Sequence, residues 1–350
     1  MKTFLNLVEP PGYPLLLAAH PPEGFEVLEG AGGLPLFKTS LDLLTTLEAA
    51  TRRRIKKWPL FPLWSGLLQW PACFAGSPIT EYAPLPVGLG PEELLDSLIE
   101  QAGSCSLAIV KDLPRDSPLL SPMENDLAQK LVEAGVRRGF FELAGQALAY
   151  VPIDFNHRDD YLGRLSASRR KDLRRKLKTA AALTIEVLEP GADFWADEAV
   201  VDEFYALYLE VFQQSDIHFD LLSRGFFQSL LRGGHPGLVV IYRHQGLTAG
   251  FNICLIHRGA LIDKYIGFQY PLARQLNLYF VSWLHNLELA RSRGLKVYIA
   301  GWTDPEVKAA LGARFTFTRH LVWVKNPLKR ALLRPLRGLF ESDRRTLESL

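Results

Sequence analysis

A chain of 350 residues is long enough for two domains, each with its own core. Its 48% hydrophobic and 22% charged residues describe a folded globular protein and exclude a disordered one. The net charge of +2 decides nothing about a polyanionic partner until the charges are placed along the chain. Cys73, Cys105 and Cys254 lie far apart and cannot all pair within one chain, which excludes a disulfide framework and points to a reducing cytoplasm.

The apolar run Leu15–Ala19 is bounded by Pro10, Pro11, Pro14, Pro21 and Pro22, so no export signal is expected there. No stretch reaches the ~18 to 20 apolar residues of a membrane-spanning helix. Thr39 and Ser40 are placed to cap a helix over Leu41–Ala50. The prolines between Pro59 and Pro78, mixed with Trp64, Trp70 and Phe74, suggest edge strands and ordered loops. A helix opens at Pro91, a short strand covers Ser106–Lys111, a helix covers Glu124–Arg137 and a strand covers Phe140–Ile153. This first half is therefore α/β. One long basic helix is expected over Tyr161–Ala182, then a strand at Leu183–Leu188 and helices near 197–213 and 221–231. Leu238–Tyr242, Leu247–His257 and Leu261–Phe268 are strands joined by turns at Gly246 and Gly259, an antiparallel meander. After an irregular loop at Gln269–Gln275 come a helix over Asn277–Arg293, a strand at Lys296–Ala300, a short helix at Pro305–Leu311 and a strand at Phe315–Val324.

Three stretches carry a family resemblance: YLGRLSASRRKDLRRKLK (161–178), LVVIYRHQGLTAGFNICLIHRGALIDKYIGFQY (238–270) and GWTDPEVKAALGARF (301–315). Their order, β-α-α-β-β-β-α-β-α-β, resembles the GNAT acyltransferases, and the basic helix before it resembles the FemAB-like branch. The resemblance implies a mixed α/β sheet in two tandem GNAT-like domains, residues 1–155 and 156–325, followed by a basic tail over 326–350. It also implies that two central strands splay apart and that an acyl donor enters the gap, with its phosphates at the N-terminus of the following helix.

Around that gap the candidate donor-binding residues are Gly267, Gln269, Tyr270, Arg274 and Asn277, the last a plausible helix cap. The loop departs from the family pattern because no glycine lies between Gln269 and Asn277 to let amides approach a pyrophosphate. In the strand segment IDKYIG, strict alternation puts Lys264 on one face and Asp263 with Tyr265 on the other. A charged pair in a central strand needs partners, which makes Asp263 and Lys264 candidate site residues, with Asn252 beside them. Thr303 and Glu306 have capping-box spacing, and Asp304 before Pro305 also suits a helix start. N-acyl transfer needs a base for the amine and a donor for the oxyanion. Asp304 is the candidate base and Lys264 the second catalytic candidate, with Trp302, Lys308 and His218 as acceptor contacts. In SDIHFD, Asp216, His218 and Asp220 fall on alternate positions, a spacing open to a metal or acid/base cluster, but the resemblance implies a loop lining the acceptor side and hence acceptor recognition.

The expected reaction is transfer from acyl-CoA to an amine by direct attack, with no tightly bound cofactor and no metal. The basic helix keeps a second donor open, aminoacyl-tRNA, with a small-molecule or cell-envelope amine as acceptor. A third reading is a non-catalytic binding protein with this fold. No DNA partner is expected, and the leucine-rich basic tail at 326–350 is expected to dock on the body of the protein, with contact to a membrane from the cytoplasm as the alternative. No nucleophile elbow, phosphate loop, dinucleotide fingerprint or metal-ligand spacing is present.

Overall fold

The computed structural model of the protein describes residues 3–47, 49–215 and 219–333. The N-terminal half runs β1 (Phe4–Leu5), α1 (Tyr13–Ala19), β2 (Glu26–Glu29), β3 (Pro35–Asp42), α2 (Ala49–Lys56), α3 (Phe61–Trp64), β4 (Gln69–Ala75), β5 (Leu85–Pro86), α4 (Pro91–Ala102), β6 (Leu107–Pro114), α5 (Pro122–Arg137) and β7 (Phe141–Pro152). The C-terminal half follows with α6 (Arg158–Gly163), α7 (Ala167–Lys176), β8 (Thr184–Leu188), α8 (Glu198–Gln214), α9 (Arg224–Arg232), β9 (Gly237–His244), β10 (Leu247–His257), β11 (Ala260–Phe268), α10 (Leu272–Gln275), α11 (Leu278–Ser292), β12 (Val297–Gly301), α12 (Pro305–Ala310), β13 (Arg314–Val324) and α13 (Pro327–Leu333).

Eleven strands form one mixed sheet in the order β2-β3-β4-β6-β13-β7-β12-β11-β10-β9-β8, and β1 pairs with β5 alone. Two neighbouring pairs are parallel, β4 with β6 and β11 with β12. Each lies inside one half, with a helix crossing over between its strands (α4 and α11). The halves also exchange their last strands. β13 sits between β6 and β7, and β7 sits between β13 and β12. Separating the halves would break three ladders, so the chain folds as two related halves sharing one sheet.

Local chemistry explains where the elements begin. The α5 N-terminus is set by a full capping box, in which Ser121 and Glu124 each bond the other's backbone, with Pro122 in the first turn. The expected helix at Leu41–Ala50 is not formed: Thr39 and Ser40 are ladder residues opposite Ala72 and Pro71 of β4. The long helix expected over 161–182 is broken into α6, α7 and a 3₁₀ turn at Leu177–Ala182. Ser166 re-caps the chain there, accepting from the Arg169 amide at 3.4 Å, because a side-chain oxygen at that point competes with helix continuation. Aromatic packing of Trp195, Phe204, Phe226 and Phe227 against Phe251 of β10 fills one face of the sheet. Trp283, Leu284 and Leu287 of α11 fill the other. Each such fully buried side chain contributes about 1.5–3 kcal/mol over its exposed state.

Candidate functional site

β11 and β12 are bonded only at Ala260, Leu261 and Ile262 against Val297, Tyr298 and Ile299. Beyond Ile262 they part. β11 continues to Phe268 beside β10, while Gly301 of β12 pairs with Ala149 of β7. At the same point the β10–β11 register slips between Ile253 and Cys254, which leaves Lys264 as an extra residue. That β-bulge cancels the strict alternation expected from sequence, so Asp263, Lys264 and Tyr265 all border the space opened by the split. The result is a cavity of about 320 Å³. Tyr208 and Phe212 of α8, Tyr279 and Ser282 of α11, and Ala300 to Thr303 close it on the C-terminal side. The N-terminal half supplies the far wall through Ile79, Glu81, Lys111 and Gln146.

The cavity concentrates buried charge. The Asp263 carboxylate accepts from Asn252 at 2.9 Å, Tyr298 at 2.8 Å and Asn286 at 3.1 Å. Burial raises its pKa, and those three donors oppose the rise. Lys264 bonds Glu9, Glu81 and the Ile79 carbonyl at 2.9, 2.9 and 2.7 Å, tying β11 to the N-terminal half. Burial also raises the Glu81 carboxyl, against the pull of Lys264. Among the described residues, one oxygen of Glu81 has no partner, and neither has the Asn252 carbonyl oxygen. The Trp302 indole is faced by two cations, with Lys111 Nζ 4.2 Å and Lys264 Nζ 5.7 Å from the ring centre. Its own N–H has no partner among the described residues.

Lys308 comes in from α12. Its side chain is buried, and Nζ donates to the Ala300 carbonyl at 2.6 Å. Burial lowers its pKa to about 8, although Glu81, Asp304 and Asp263 pull the other way. Across the cavity burial raises the pKa of Asp220, while Lys111 opposes the rise.

The residues singled out from sequence fall into two groups. Asn252, Asp263, Lys264, Trp302 and Lys308 do come together in the cavity wall. Asp304 does not: it is exposed, outside the lining, with left-handed backbone (φ 53°) and no side-chain capping bond. The expected capping box at Thr303 and Glu306 is likewise not formed, since Asp304 is the N-cap. Gly267 is filled by packing. A Cβ there would lie 2.1 Å from Phe251 Cε1, so the glycine makes room for the Phe251 ring. Gln269 and Tyr270 enter the turn before α10, where the Tyr270 amide donates to Glu210 at 2.8 Å. Arg274 stacks over Tyr270 at 5.0 Å and bonds Gln214. Asn277 has left-handed backbone and makes no side-chain cap. The glycine-free loop uses up its own amides: Ala273, Arg274, Gln275, Leu276 and Asn277 all donate to loop carbonyls. His218 and Asp216 lie outside the described residues.

Glu9, Glu81, Lys111 and Gln146 were not legible as site residues, because nothing in the first 150 residues carries a motif. In the basic segment much of the charge is already met. Arg164 pairs with Asp154, Arg174 with Asp159, and Arg175 and Lys176 with Asp172.

Residues 167–309 match the family profile of the acetyltransferase (GNAT) domain. No curated protein matches in sequence. Among solved structures the chain is similar to L-PGS from Bacillus licheniformis, at 9% identity and TM-score 0.55 over 96% of this chain and 98% of that one. It is similar to the C-terminal domain of a protein described as a lysylphosphatidylglycerol synthetase from Agrobacterium fabrum, at 14% identity and TM-score 0.52 over 88% and 86%. FemX is similar at 11% identity and TM-score 0.50, over 91% and 97%. Residues 167–309 thus carry the sequence signature of a GNAT domain, and the fold of the chain as a whole is similar to the folds of L-PGS and FemX.

Proposed function

We propose that the protein transfers an acyl group to an amine inside the cavity between the parted ends of β11 and β12. The observation that carries this reading is a lysine, Lys308, buried in the wall of that opening with its ammonium against the Ala300 carbonyl. The amine nitrogen attacks the acyl carbonyl, forming a C–N bond as the bond to the donor's oxygen or sulfur breaks. The Lys308 ammonium donates to the oxygen as it gains charge, and its low-dielectric setting makes that contact worth more than in water. Asp220, a carboxylate whose pKa is raised by burial, takes the proton from the amine, and the leaving group is protonated in turn. Asp304, exposed and outside the lining, is better suited to the entrance, beside Tyr270 and Tyr279, whose phenols its charge helps to raise after burial has done most.

For the donor we favour an aminoacyl ester carried on RNA. The loop amides that would cradle a pyrophosphate are bonded within the loop. The similarity in fold to a lysylphosphatidylglycerol synthetase domain also supports an aminoacyl group. Arg169, Lys171 and Lys178 make no ion pair among the described residues and would meet phosphates. A second reading, acyl-CoA, is supported by the Leu278 and Tyr279 amides at the start of α11, which donate to no loop carbonyl.

The test is to incubate the protein with labelled aminoacyl-tRNAs and, separately, with a panel of acyl-CoAs, each with mixed amine acceptors. Label should pass to an amine from the tRNA pool, and Arg169→Glu with Lys171→Glu should weaken tRNA binding at least tenfold. Transfer from acyl-CoA alone would select the second reading. Transfer from neither would sink both.

A further inference from the structure

The segment from Ala49 to Leu68 takes no part in the cavity, and among the described residues it joins a run of basic side chains to a cluster of exposed apolar ones. It opens with Arg52, Arg53, Arg54, Lys56 and Lys57 on and just after α2, and contains no acidic residue. None of the five forms an ion pair among the described residues. Directly after them come Trp58-Pro59-Leu60-Phe61-Pro62-Leu63-Trp64, folded into α3 and the 3₁₀ turn Ser65–Leu68. Trp58 is 55% exposed, Leu60 69%, Leu63 81% and Leu67 76%. Isolated exposed leucines are ordinary, but four large apolar side chains within ten residues are a patch.

The patch is held in shape from within. Trp64 packs edge-on against Phe61 at 5.0 Å and lies 6.2 Å from Trp58, and its indole N–H donates to the Pro59 carbonyl at 3.2 Å. The left-handed turn at Leu60 (φ 59°) swings the chain between the two prolines. The surface continues onto α13. Trp70, which donates to the Leu67 carbonyl at 2.8 Å, carries Lys329 over its ring at 4.3 Å, and Leu328 beside it is 80% exposed.

We infer that this surface docks on an anionic lipid bilayer. Cations next to tryptophan and leucine side chains match both layers of such a surface, headgroup phosphates outside and acyl chains beneath. A second copy of the chain is the poorer occupant, because residues 49–68 hold no carboxylate that could meet the partner copy's basic run. The docking is peripheral, since no described helix is long and apolar enough to cross a membrane. β4 runs from the patch at Trp70 toward Ile79 and Glu81, so Pro71–Ala75, about 17 Å of strand, lie between the lipid contact and the cavity. Docking therefore fixes where the protein works without shaping the site, and it stands whether or not the proposed reaction does.

Flotation of the full chain with vesicles tests it. With phosphatidylcholine containing about one-third phosphatidylglycerol, the protein should float at least tenfold more than with phosphatidylcholine alone, and high salt should release it. Leu60→Asp/Leu63→Asp/Leu67→Asp should lose at least tenfold of that binding with the melting temperature unchanged. Arg52→Glu/Arg53→Glu should lose binding to the anionic vesicles. If the triple variant floats like the wild type, lipid contact belongs to another part of the chain and the proposal fails. It fails also if the wild type does not float, or if light scattering shows instead a dimer that the triple variant dissolves.

Discussion

Replacing Lys308 with methionine should make the protein more stable and less active at once. The ammonium is buried, and burial lowers its pKa from 10.5 to about 8. That fall corresponds to roughly 3 kcal/mol of preference for the neutral form. Below pH 8 both folded and unfolded chains hold the proton, and the folded state carries the whole cost. Between about 8 and 10.5 the unfolded chain still holds it while the folded chain has released it, so stability at this residue rises with pH through that window. Methionine fills similar space without the charge. The substitution also removes the bond from Nζ to the Ala300 carbonyl, which offsets about 1 kcal/mol. The remaining gain at pH 7 is of order 2 kcal/mol, a rise of a few degrees in melting temperature. Transfer activity should fall by about 10² or more if Lys308 is the oxyanion donor. Thermal melts at pH 7 and 9.5 are the assay, with the stabilisation shrinking at the higher pH. A variant that melts below the wild type at pH 7 would refute the reasoning, as would one that gains stability but keeps full activity.

Three further outcomes are expected. Lys264→Met should cost about 3–5 kcal/mol, because it leaves Glu9 and Glu81 buried without their shared cation, and adding Glu81→Gln should recover part of it in urea melts. Glu124 should make the fold acid-sensitive: burial raises its pKa, but the bonds from Arg258 and Ser121 outweigh it and hold the carboxyl near 2. Its contribution is complete above its ordinary value of 4.5 and is lost as pH falls toward 2, so Glu124→Gln should flatten the acid limb of a pH–melting profile. Gly267→Ala should destabilise by about 1–3 kcal/mol through its clash with Phe251, and Phe251→Leu in the same chain should restore part of the loss.

The C-terminal half was largely legible because its strands are long, apolar and separated by Gly246 and Gly259, which fix the meander in a way no tertiary contact needs to override. Strong local capping had the same effect at α5. The strand exchange was not legible, since β7 and β13 look like any other apolar strands and their neighbours are set by contacts 170 or so residues away in sequence. The bulge at Lys264 was equally hidden: alternation describes a regular strand, and a one-residue slip moves every later side chain. In the site, Asp263 and Lys264 stood out as a charged pair inside a central strand, and Trp302 and Lys308 as bulky or charged residues just after the next one. Glu81 and Lys111 did not, because their meaning depends on the other half of the molecule folding over the split. Asp304 shows the converse. Its neighbours in sequence pointed to chemistry, but its left-handed backbone leaves the carboxylate in solvent.

The central claim is that the acyl carbonyl lies in the opening between β11 and β12, beside Lys308. A crystal structure with a stable donor analogue, either an adenosine bearing a 3′-amide-linked amino acid or a non-reactive acyl-CoA thioether, tests it most directly. The carbonyl oxygen should lie within hydrogen-bond distance of Lys308 Nζ, with Asp220 and Glu81 facing the amine side. An analogue bound elsewhere, or one bound there with its carbonyl turned away from Lys308, would contradict it.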